Sequence, residues 1–89
     1  MSVSDESQGG DNMQWLLQDI PLGRNIQNIR IRKNMTQTEL VAKLQLMGSN
    51  MSRSTLANIE TGRRNIKASD LKALKCILNV EYDEFFLAE

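Results

Sequence analysis

The side chains best equipped for chemistry in this sequence are its cations. All eleven Lys and Arg residues lie between positions 21 and 75, where only Glu39, Glu60 and Asp70 oppose them. The flanks have the opposite character. Residues 1–20 carry Asp5, Glu6, Asp11 and Asp19, and residues 76–89 carry Glu81, Asp83, Glu84 and Glu89, with no basic residue in either stretch. A formal net charge of +0 therefore hides a basic middle between acidic ends. Exposed charges are screened within ~8 Å at physiological salt, so this local excess governs attraction to a polyanion more than the overall balance does. A merely solvated charged face is the ordinary alternative. Other chemistries are thinly represented. Histidine is absent, which removes imidazole acid–base catalysis and nearly every zinc site. Cys76 has no second cysteine to pair with and reads as a half-exposed helix residue rather than a redox sensor. No nucleophile–base pair, metal cluster or glycine-rich phosphate loop is present, so the expectation is a non-enzyme with no catalytic residues, no metal and no cofactor.

These cations must be positioned by a small scaffold. Eighty-nine residues suffice for one small domain. Residues 1–12 are polar, carry Gly9-Gly10 and show no periodicity, so they read as a disordered tail. Residues 13–20 form a short apolar segment containing Trp15, Leu16 and Leu17, with room for an extra short N-terminal helix. The domain proper spans 21–89. Its first helix runs from Leu22 to Lys33, with Ile26 and Ile29 inward and Asn34 as a left-handed stop. Thr36 and Glu39 have capping-box spacing ahead of Leu40, Val41 and Leu44. Gly48-Ser49-Asn50 ends that second helix, and Ser52 caps a third, with Leu56 and Ile59 buried and Thr61-Gly62 closing it. A fourth helix covers Ala68 to Leu78 with Leu71, Leu74 and Leu78 on one face and Asn79 as its stop. A short acidic–aromatic helix at Tyr82–Leu87 completes an all-α, compact five-helix domain.

Two short helices joined by a turn, the second opening with small polar residues, form a helix-turn-helix pattern. Residues 23–86 resemble the lambda-repressor-like (Xre, Cro/CI-type) family. The resemblance rests on Ile29-Arg30, on Thr36-Gln37-x-x-Leu40, and on Ser52-Arg53-Ser54-Thr55-Leu56-x-x-Ile59-Glu60-x-Gly62-Arg63. Leu71-x-x-Leu74 and Leu78-x-Val80 ahead of Phe85-Phe86 complete it. It implies a sequence-specific regulator of transcription, a repressor, that binds double-stranded DNA with helix three (about Ser52–Thr61) in the major groove.

By the same resemblance, Arg53, Ser54 and Asn58 meet bases. Arg53 has the fork for guanine O6 and N7, Asn58 the paired donor and acceptor for adenine, and Ser54 a short, tolerant hydroxyl. Gln37 matches a glutamine that holds a phosphate at a helix N-terminus. Ser52, Thr55, Thr61, Arg63, Arg64 and Lys67 are further phosphate candidates. Ordinary solvated helix residues are the plain alternative for Arg53, Ser54 and Asn58, and a solubilising loop for Arg64 and Lys67 individually. Arg30 and Glu60 belong instead to architecture, as a partly buried ion pair tying helix one to the end of helix three.

The sequence departs from the family pattern at the stretch 45–51 and at Lys67. The stretch 45–51 is longer than the usual turn, which predicts an extended second helix with Leu46, Met47 and Met51 covering the join. Lys67 stands where a small capping residue is usual, so helix four is expected to begin at Ser69 or to fray. Phe85 and Phe86 read as one ring inward and one available for a dimer, with the Trp15 segment a second candidate contact. The expected partners are a palindromic operator and, at least on DNA, a second copy of the chain, in the cytoplasm and without a membrane. An antitoxin, or another interaction module that also binds DNA and masks a partner protein, is the alternative reading of the acidic termini.

Overall fold

The computed structural model describes residues 20–88. They form four α-helices followed by a 3-10 turn: α1 (Leu22–Arg32), α2 (Gln37–Leu46), α3 (Arg53–Glu60), α4 (Ala68–Leu78) and the turn Tyr82–Phe86. No strand occurs among the described residues. The fifth expected helix is this 3-10 turn. The tail over 1–12 and the apolar residues 13–19 lie outside the described residues, while Ile20 is a bend leading into Pro21, the cap of α1.

The same local chemistry ends the first three helices. Asn34 (φ 59°), Gly48 (φ 97°) and Gly62 (φ 81°) adopt left-handed backbone one residue beyond the C-caps Lys33, Met47 and Thr61. At each end the next two amides turn back to the last helical turn. Asn34 N–H donates to Ile31 O and Met35 N–H to Arg30 O. Gly48 and Ser49 donate to Gln45 and Leu44, and Gly62 and Arg63 to Ile59 and Asn58. This double closure satisfies carbonyls that a helix end would otherwise leave unpaired. Asn79 (φ 56°) ends α4 in the same backbone region.

Starts are equally local. The Thr36 hydroxyl accepts from Glu39 N–H at 3.0 Å while the Glu39 carboxylate accepts from Thr36 N–H at 2.8 Å, a complete capping box. Ser52 Oγ accepts from Thr55 N–H. α4 begins at Ala68 behind Lys67, which makes no side-chain cap, so the expected start at Ser69 is one residue late.

α1 packs on α3 and on the 3-10 turn, and α2 packs on α3 and α4. Ile26, Leu40, Leu44, Leu56, Leu74, Leu78 and Phe85 are fully buried at the centre. The crossing of α1 on α3 is unusually tight: a Cβ added to Gly23 would stand 1.9 Å from the Ile59 carbonyl oxygen. The C-terminal end is held by Asn25, whose amide donates to both Phe85 O (2.8 Å) and Leu87 O (2.9 Å).

The α2–α3 connection corrects one expectation. Of the three residues expected to cover the join, only Met51 is buried, whereas Leu46 is 88% and Met47 54% exposed. Gly48 terminates α2 before a further turn can swing those side chains inward. The long connection is braced by polar groups instead, with Gln45 Nε2 donating to Met51 O at 2.9 Å and Met51 N–H to Ser49 Oγ at 3.0 Å.

Candidate nucleic-acid interface

α3 divides its residues cleanly. Leu56, Ile59 and Glu60 are buried, which leaves Arg53 and Ser54 exposed and Thr55 and Asn58 half-buried on the outer surface. Ser54 and Asn58 are four residues apart and therefore share a helix face, with Arg53 beside them at the first turn. At 1.5 Å per residue the helix is about 12 Å long, a match to a major groove ~12 Å wide.

At the C-terminal end of α3 a buried network joins three helices. Arg30 of α1 donates from Nε to Glu60 Oε2 at 2.7 Å and from Nη2 to Oε1 at 3.0 Å, and its Nη1 donates to Met35 O at 2.8 Å. Gln37, the first residue of α2, donates from Nε2 to the same Glu60 Oε1 at 2.9 Å. The Glu60 side chain is fully buried and that of Arg30 only 10% exposed. One carboxylate thus receives three donors and fixes the start of α2 against the end of α3. The role of Gln37 in this network was not apparent from its sequence match, because a match to a phosphate-holding position carries no information about side-chain neighbours within the fold. Its second amide hydrogen and its carbonyl are not used by Glu60.

The remaining candidates gather at the two ends of α3. At the start, Ser52 Oγ and Thr55 Oγ1 lie 3.0 Å apart and share one hydrogen bond, so one hydroxyl proton of the pair stays outside it. At the end, the Arg63 and Arg64 amides both return to Asn58 O, at 2.9 and 3.2 Å, folding the basic loop onto the last turn. The side chains of Arg63, Arg64 and Lys67 are exposed. Thr61 directs its hydroxyl back to Ala57 O (3.1 Å) and Asn58 O (3.2 Å), so in this conformation its proton serves the helix end. Turning it to an external acceptor requires a rotamer change.

A short helix with a polar outer face, tied to the start of the preceding helix by a buried carboxylate, fits a helix-turn-helix module. The family model for helix-turn-helix proteins of the Xre/lambda-repressor-like type matches residues 26–85, about two thirds of the chain, and the chain belongs to that family. It is a DNA-binding helix-turn-helix regulator. No curated protein and no solved structure matched the chain significantly. No described helix is long and apolar enough to cross a membrane.

Proposed function

We propose that the chain is a sequence-specific transcriptional repressor that inserts α3 into the major groove of a palindromic operator. Arg53, Ser54 and Asn58 read base edges, and Gln37, Ser52, Thr55, Arg63, Arg64 and Lys67 hold the flanking phosphates, with Thr61 joining them after rotation. One observation carries the reading. The outer surface of α3 remains uncommitted to the core, while the residues beside it are cations, hydroxyls and an amide held on a buried frame. Regulation is by occlusion of the operator in the cytoplasm, with no catalytic step. Binding as a homodimer draws support from the C-terminal end, where Phe85 is fully buried but Phe86 (42%) and Leu87 (59%) are exposed.

Selection of bound sites from random duplexes tests the reading, because it reports base preference, palindromy and half-site spacing together. Arg53→Ala and Asn58→Ala each relax the selected sequence at their own position, at a cost of ~1–3 kcal/mol in discrimination. Arg63→Ala weakens all sites about equally. A selected sequence left unchanged by both α3 substitutions rejects α3 as the reading element.

A further inference from the structure

Among the proposed phosphate grips, only Gln37 has its side chain bonded to the buried Arg30–Glu60 pair. The residue is half-buried, and its amide is held from the inner side while its outer side stays open. A glutamine side chain ends in a carbonyl oxygen and an NH2 group, which exchange places when the amide flips. A phosphate takes hydrogen bonds only from donors, so one of the two orientations suits it and the other presents a repelling oxygen.

Glu60 selects between them. A carboxylate is acceptor-only, and its Oε1 lies 2.9 Å from Gln37 Nε2, a place the amide oxygen cannot take without repulsion. The nitrogen is thereby fixed, with its second hydrogen left for an acceptor outside the fold. Glu60 does not need this contact for its own charge. Arg30 already donates to both of its oxygens, from Nε at 2.7 Å and from Nη2 at 3.0 Å. The remaining Arg30 Nη1 is committed to Met35 O at 2.8 Å, so the guanidinium serves the frame.

We propose that Glu60 is a positioning residue for DNA binding. Its carboxylate holds the Gln37 amide in the orientation that donates to a phosphate oxygen, and Arg30 cancels the charge that would otherwise repel that phosphate. The effect on affinity rests on the reading of Gln37 as a phosphate grip, whereas the ordering of its amide in the free chain does not. A long side chain ordered in advance loses no rotamer freedom on binding, a gain of about two- to tenfold in affinity per subunit.

Nuclear magnetic resonance of the 89-residue chain without DNA tests the ordering. The Gln37 side-chain amide has a heteronuclear NOE as high as the backbone of α2, and it becomes mobile in Arg30→Met with Glu60→Leu. Titration of a selected duplex tests the consequence. Gln37→Ala weakens binding by the parent about tenfold or more, and in the Arg30→Met, Glu60→Leu background that cost is about two- to tenfold smaller. If urea unfolding shows that this background does not fold, Glu60→Asp replaces it, keeping a carboxylate near Arg30 but drawing it one methylene back from Gln37. A mobile Gln37 amide in the parent overturns the inference whatever the duplex result. So does a Gln37→Ala cost equal in both backgrounds, which leaves Glu60 as a brace alone. An ordered amide with no cost of Gln37→Ala on a duplex that the parent binds overturns Gln37 as a phosphate grip, and the positioning role with it, while α3 remains the reading element. An ordered amide in a chain that binds no duplex overturns the DNA reading itself.

Discussion

Glu60 shows how a charged residue in a DNA-binding module can act on the fold first. Its buried carboxylate holds Arg30 and Gln37 together, so removing it strands a guanidinium in the interior. Glu60→Ala lowers stability by ~3–5 kcal/mol in urea unfolding, and the paired change Arg30→Met with Glu60→Leu recovers most of that loss because no charge is left buried. An unchanged unfolding midpoint in Glu60→Ala would remove the ion pair from the architecture. Glu39 offers a pH-dependent contrast. The Thr36 backbone N–H, then its hydroxyl, hold the Glu39 carboxyl below its ordinary value of 4.5, with Lys43 adding a smaller pull against desolvation. A depressed folded-state pKa contributes stability that is complete above 4.5 and disappears as pH falls through the lowered value. The stability advantage of the parent over Glu39→Gln, followed by thermal melts across acid pH, accordingly shrinks on acidification. A constant gap at every pH would show that the carboxylate charge is immaterial to the cap.

At the element scale, helix limits follow from residues acting within a few positions of themselves. Asn34, Gly48, Gly62 and Asn79 stop four helices, and all four are legible in sequence because left-handed backbone selects Asn and Gly. Gly23 is a different case, since nothing in its neighbours along the chain marks it. It is demanded by the Ile59 carbonyl of another helix. Gly23→Ala improves helix propensity by ~1 kcal/mol yet forces α1 away from α3, and the expected net effect is destabilisation of ~1–3 kcal/mol in denaturant unfolding. A more stable variant would contradict the close crossing. Leu46 and Met47 make the complementary point. Their apolar character suggested a covered join, but the early end of α2 at Gly48 leaves them in solvent.

At the scale of the whole molecule, the zero net charge conceals a basic middle between acidic ends. If the proposed dimer grips ~6–10 phosphates, its affinity falls ~10³–10⁵-fold between 50 and 200 mM salt, measurable by titrating a labelled operator. A flat salt response would remove phosphate neutralisation from the mechanism. The sequence by itself determined the all-helical class, the caps and stops of nearly every helix, the apolar positions facing the core and the family, because each depends on periodicity or on chemistry within one turn of chain. Tertiary structure decided that Gln37 meets Glu60 across 23 residues, that Asn25 clamps the chain end 60 residues away, and that Gly23 admits a neighbouring carbonyl. Those depend on where separate helices cross, and no local pattern encodes the distance between two elements before they pack.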